Sequence, residues 1–257
     1  MHKDIQKAGL WQRIAAGILD LILLAVLAAG FCWILSSLLN YDQYFVQSEN
    51  IRKQYTQKYN LPEKVTQEVL DAMTPEEYEE YITNVEAANE EIAKDEKAVR
   101  VFNMVLNLSL IIASGGILLS MVLLQFVTPL VFGNGQTIGK KVFGLCLIRN
   151  DGVKLNTLQL FTRVILGKYA VGVMIPVYSV IMVLLNVPNL LLLLVAVGIV
   201  LAQVVSFLAT RNHCLLHDLM VGTVVADYGS QKIFKSTEDL VAYQKKIAAE
   251  RAARQEY

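Results

Sequence analysis

From Ile14 to Leu39 the chain runs through aliphatic, aromatic and small residues with one charged side chain, Asp20. A run of this length crosses the hydrocarbon core of a bilayer as a helix, which takes about 20 apolar residues. It is too long for a secretory h-region, and no small-x-small cleavage site stands out after it. In Ala28-Ala29-Gly30-Phe31-Cys32, Phe31 is too bulky for a lipoprotein site. The run is therefore expected to remain a membrane span. Three more apolar blocks follow: Met104 to Phe132, Tyr169 to Leu185 with Pro176 inside, and Leu190 to Thr210 after the break Asn186-Val187-Pro188-Asn189. With 54% hydrophobic and 18% charged residues gathered into such blocks, the chain is expected to be an all-α integral membrane protein of about four transmembrane helices.

The formal charge of zero hides a polarity. Before the first span, Lys3, Lys7 and Arg13 face Asp4 alone, and segment 134–168 sets Lys140, Lys141, Arg149, Lys154, Arg163 and Lys168 against Asp151. Loop 41–103 carries seven basic and fourteen acidic residues. The positive-inside rule then puts both termini and segment 134–168 in the cytoplasm and the acidic loop outside a cell membrane. The resulting plan is 1–40 for the N-terminus and first span, 41–103 for an external acidic helical hairpin, 104–133 for the second span, 134–168 for a basic cytoplasmic segment, 169–210 for the last two spans, and 211–257 for a cytoplasmic segment and helical tail. No basic patch suggests nucleic acid.

The loop has helix signals of its own. Pro62 sits in the first turn of one, with Val65, Val69, Leu70 and Met73 as its stripe. Thr74-Pro75-Glu76-Glu77 starts a second, with Thr74 as N-cap and Pro75 at N1, and it is expected to run straight into the second span. In the tail, Thr237-Glu238-Asp239 opens a helix carrying Leu240, Tyr243 and Ile247 on one stripe.

Asp20 is the residue that calls for an explanation. A carboxylate at that depth needs a wet cavity or a partner. Arg13, seven residues earlier, lies on the same helix face but about 10 Å away along the axis, so a second helix is expected to supply part of the pairing. Either Asp20 belongs to an ion, proton or solute site, or it is half of a buried pair that fixes helix packing.

Gly133-Asn134-Gly135-Gln136-Thr137-Ile138-Gly139-Lys140-Lys141 fails as a phosphate loop, because five residues separate Gly133 from Gly139 and Lys141 stands where Ser or Thr is needed. Val142 to Arg149 reads as a short strand turned by Asn150-Asp151-Gly152, with Gly222 to Ala226 as its partner in a small cytoplasmic β-hairpin-like element. His213 and His217 would share a helix face, but no glutamate of the zinc-protease pattern lies between them, so no metal is expected. Asp218, at the end of the fourth span, has Arg13, Arg163 and Arg211 as candidate partners, and a pairing with Arg13 at one membrane depth is expected. Cys32, Cys146 and Cys214 form no disulfide framework and are expected to be free.

Three of these segments together resemble the RDD family of membrane proteins: Arg13-Ile14-Ala15-Ala16-Gly17-Ile18-Leu19-Asp20, then Gly135-Gln136-Thr137-Ile138-Gly139-Lys140-Lys141 leading into Gly144-Leu145, then Leu216-His217-Asp218 followed by Gly222-Thr223-Val224-Val225. The resemblance covers 9–39 and 104–228. It places the family's arginine and two aspartates on Arg13, Asp20 and Asp218, with Gly139, Lys140, Arg163, Arg211 and His217 as supporting residues. It implies a role in transport, including cation/proton exchange in some members, and a bacterial plasma membrane as the setting. Two functions are carried forward: translocation of ions or small solutes at Asp20, and a membrane adaptor binding partners through the hairpin and tail. A pathway through four spans calls for a homo-oligomer or a membrane partner beside the lipid bilayer, with Ser114, Gly115, Gly116 and Ser120 as its packing surface. No nucleophile–base pair is visible, so neither an enzyme nor a cofactor is expected.

Overall fold

The computed structural model describes residues 5, 8–184, 189–210 and 213–255. Arg211 and the break at 186–188 lie outside them. Four helical stretches are long and apolar enough to cross a membrane: Leu10–Leu38, Glu96–Phe132, Thr157–Val183 and Leu190–Ala209. In chain order the elements are α1 (Leu10–Leu38), α2 (Tyr41–Lys58), α3 (Gln67–Asp71), α4 (Pro75–Lys94), α5 (Glu96–Met121), a π-helical turn Val122–Val127, α6 (Thr128–Phe132), α7 (Ile138–Val142), β1 (Leu145–Arg149), α8 (Thr157–Phe161), a π-helical segment Thr162–Met174, α9 (Ile175–Leu184), α10 (Leu190–Ala209), α11 (Leu216–Val221), β2 (Thr223–Asp227) and α12 (Thr237–Gln255). The chain is a helical membrane protein with one small sheet. Large apolar side chains stay exposed along its spans, among them Trp33 at 75% and Leu191 at 73%, as lipid-facing positions should.

The third span begins at Thr157, well before the block expected from Tyr169. Arg163 and Lys168 therefore lie on the same continuous helical stretch as that apolar block. Hydropathy stops at such residues, whereas a helix continues through them when each has a partner inside the protein.

The chain forms two compact units, Met1–Phe31 with Ser114–Tyr257, and Cys32–Ala113. In the first, β1 and β2 run antiparallel with Leu145 opposite Asp227 and Arg149 opposite Thr223. The expected turn is present, with Asp151 Oδ1 accepting from Val153 N at 3.1 Å. A two-stranded sheet is marginal alone. Here Leu145, Leu147 and Val225 join a core with Ala16, Met121 and Val164, while Cys146, Ile148, Val224 and Ala226 pack with Cys214. Both faces are thus covered. The Ser114 to Ser120 stripe, expected to receive another subunit, is used inside the chain: Ser120 is fully buried, its hydroxyl donates to Gly116 O at 2.8 Å, and Ser114 O accepts from the Tyr169 hydroxyl at 3.0 Å.

In the second unit, Thr74 is the expected N-cap of α4, and with Glu77 it forms a capping box. The helix expected from Pro62 shrinks to α3, capped by Thr66, because its apolar stripe is too short to hold the preceding turns. The hairpin partner of α4 is α2, for which no helix was expected. Nor does α4 run straight into the second span. Asp95 breaks it with an extended backbone and caps α5 through hydrogen bonds from Lys97 N at 2.8 Å and Ala98 N at 3.2 Å.

Candidate functional site

Asp20 reaches from α1 to the start of α7. Its Oδ1 accepts from Gly139 N at 2.8 Å, and its Oδ2 accepts from the Thr137 hydroxyl with Lys140 Nζ at 3.7 Å. Thr137 is the N-cap of α7 and also accepts from Lys140 Nζ at 3.1 Å. A carboxylate is thus set against the positive end of a helix turn with a lysine beside it. Gly139 makes this approach possible: a Cβ there would stand 2.3 Å from Ala16 O and 2.8 Å from Asp20 Oδ1. The glycine-rich segment is therefore a docking loop for α1. The second helix expected to help Asp20 is α7, and its charged partner is Lys140 rather than Arg13. Burial holds the Lys140 ammonium below the usual lysine range, and Asp20 opposes that effect.

Asp218 is buried more deeply. Its Oδ1 accepts from Arg163 Nε at 2.9 Å and from Arg163 Nη2, with Thr223 Oγ1 donating to the same oxygen at 3.1 Å. Oδ2 accepts from Leu215 N at 3.2 Å and faces His217 Nε2 at 3.7 Å. The exposures of the paired side chains are 4% for Arg163 and 3% for Asp218. Burial alone would push the Asp218 carboxyl up, but the Arg163 guanidinium outweighs it and holds the group well below the usual carboxylate range. Burial first, then Arg163 and Lys168, hold His217 well below the usual histidine range, so it is neutral. The direct ion pair of Asp218 is with Arg163, one of its three candidate partners, because α11 packs on the π-helical part of the third span and a Cβ on Gly167 would lie 2.6 Å from His217 Cβ. Arg13 Nη2 donates to His213 O at 3.0 Å. The Asp218 charge still acts on it.

The π-helical geometry explains how the third span delivers its charges. In an α-helix, residues five apart point about 140° away from each other. In a π-helix the backbone hydrogen bond joins residue i to i+5, so Arg163 and Lys168 come to one side. Lys168 Nζ donates to Gln125 Oε1 at 2.6 Å, and Gln125 lies in the π-helical turn of the second span. Neither Lys168 nor Gln125 was expected at the site. The available signal was a lysine and a glutamine inside otherwise apolar helices.

These groups meet in one cavity of about 430 Å³. Arg13, Asp20, Lys140, Arg163, Lys168, His213, His217 and Asp218 line it together with Gln125 and apolar residues that include Leu24 and Phe207. Gly139 supports it from behind Asp20. His213 does not join His217 on a helix face: it has a left-handed backbone, φ 48°, and lies before α11, with Nδ1 3.0 Å from Phe207 O. Among the described residues no three His, Cys, Asp or Glu converge as metal ligands. Cys32, Cys146 and Cys214 are free, and burial pushes the Cys146 thiol up to about 11.

The model of the RDD family matches residues 7–222, a range that holds every residue lining the cavity except Val225. No curated protein and no solved structure matches the chain.

Proposed function

Since the chain belongs to the RDD family, we propose that this membrane protein carries ions or small solutes across the bilayer through the cavity between Asp20 and Asp218. The observation that carries this reading is the cavity itself: eight ionisable side chains gathered beside helices long and apolar enough to cross a membrane. Such groups are expensive in hydrocarbon and mark solute or proton pathways. Proton uptake by Asp20 would weaken its hold on the N-terminus of α7 and on Lys140, which couples a change of charge to the docking of a helix. Exchange of a solute against protons is the form of transport that such coupling would serve. The excess of Lys and Arg at the N-terminus and in 134–168 orients both termini to the cytoplasm of a plasma membrane. Four spans enclose little space, so the working unit is a homo-oligomer or a complex with a membrane partner.

Purified protein in liposomes, given gradients of several cations, anions and protons in turn, tests the proposal. Asp20→Asn should abolish flux or its pH dependence at near-normal protein level. Absence of any flux would leave the adaptor reading, which draws on the separate acidic unit Cys32–Ala113 and the exposed helix α12.

A further inference from the structure

We infer that the ligand of the cavity is an oxyanion, phosphate- or carboxylate-bearing, held by Lys168 together with Arg163 and Lys140. This rests on the reading of the cavity as the ligand site. Leaving aside Arg13, which has a further partner, the lining sets three cationic side chains, Lys140, Arg163 and Lys168, against two carboxylates, Asp20 and Asp218. His217 is neutral and does not change the balance. Both carboxylates are already committed, Asp20 to Thr137, Gly139 and Lys140 and Asp218 to Arg163, Thr223 and Leu215. A cation entering the cavity would have to compete with these bonds and add to a positive surplus.

An anion relieves that surplus. Among the described residues no carboxylate lies within ion-pair distance of Lys168, whose ammonium gives one hydrogen bond to the neutral Gln125 amide. An ammonium has three N–H donors, so two remain for a ligand oxygen. Unpaired positive charge in a partly dry site is costly, and charge-assisted bonds to phosphate or carboxylate oxygens are the strong ones available to lysine and arginine. At about 430 Å³ the cavity has room for an oxyanion with several waters, each occupying roughly 30 Å³. The same chemistry describes a free inorganic anion and the headgroup of an anionic lipid.

The test uses the full-length protein purified in detergent. Thermal unfolding is followed while potassium chloride is exchanged for potassium phosphate at constant ionic strength, and in parallel while phosphatidylglycerol or phosphatidylcholine is added. A concentration-dependent rise in Tm with inorganic phosphate identifies a free anion. A rise with phosphatidylglycerol only, together with its retention in native mass spectra, identifies a headgroup. Either effect should weaken by at least about tenfold in Lys168→Gln, the loss expected for one charge-assisted bond, and return in Lys168→Arg. Should Lys168→Gln fail to fold, the wild-type titration with the Lys168→Arg comparison still decides. No response to phosphate or phosphatidylglycerol, or an unchanged response in Lys168→Gln, overturns the inference. Cation flux in liposomes without any anion effect would leave transport standing and remove the anion. Anion binding without flux would do the reverse.

Discussion

Two ion pairs of similar appearance hold the two units, and they do different things. In the acidic unit, Lys58 Nζ meets Glu91 at 2.5 Å, with the side chains 56% and 39% exposed. In the charged core, Arg163 meets Asp218 with exposures of 4% and 3%. The first pair replaces water by protein and is screened by salt. The second has no water to fall back on, so either charge without the other is stranded. Distance alone does not separate the two cases. Burial does, and it makes the core pair a constraint on the fold while the surface pair is nearly dispensable.

The strongest way to break this contrast is to remove one core partner. Arg163→Ala and Asp218→Ala should each cost about 3–5 kcal/mol, read as lost folded protein or a lowered Tm in detergent. The double mutant should lose clearly less than the sum of the two; simple additivity would show that the pair is not coupled. Next in size is Gly139→Ala, whose new methyl would meet Ala16 O at 2.3 Å. It should destabilise by about 1–3 kcal/mol. Gly17→Ala, with nothing within 4 Å, should be neutral or stabilising in the same helical register. Equal effects would undo the docking role given to Gly139.

A smaller effect concerns pH. His217 has a lowered native pKa, so below about pH 6.5 the unfolded chain binds a proton that the native state refuses, and stability should fall as pH drops from about 6.5 to 5. His217→Gln should flatten that slope. The native pKa of Asp218 is also lowered, so its contribution is fully present above about pH 4 and is lost only in stronger acid. The smallest change belongs to Lys58→Ala, which should leave Tm within error in physiological salt. A large drop there would mean that exposure misjudges the surface pair.

What could be read from sequence follows the range of the interaction. The Thr74 cap, the turn after Arg149 and the pairing of β1 with β2 depend on residues a few positions apart or on period-two patterning, and each leaves a local signature. Asp20 and Asp218 could be singled out because a carboxylate beside a long apolar run is conspicuous. Their partners were less legible: Arg163 stood among three candidates for Asp218, and Lys140 was not paired with Asp20. Lys140 and Arg163 were visible as basic residues, yet pairing Arg163 with Asp218 and placing Lys168 at the same cavity requires the π-helical phase of Thr162–Met174. A reading that assumes 3.6 residues per turn sends Lys168 to the wrong side. The helix α2 escaped for another reason: Tyr41, Tyr44, Ile51 and Tyr55 share one face, but they stand among polar residues that dilute the pattern.

The partners of the buried charges are far apart along the chain, and this has a consequence for biogenesis. Thr137 follows Asp20 by 117 residues, and Asp218 follows Arg163 by 55. At about 5–20 residues per second of translation, Asp20 is committed to the first span on the order of ten seconds before the loop that satisfies it leaves the ribosome. Arg163 waits for a shorter time. Each carries a penalty that reaches about 2.5–3.5 kcal/mol for a charge at the centre of a lone inserted helix and is smaller toward its ends. The nascent chain must therefore be held at the insertion machinery or the membrane surface until α11 and β2 emerge, and truncation before Leu216 should leave the third span poorly inserted however apolar its second half is.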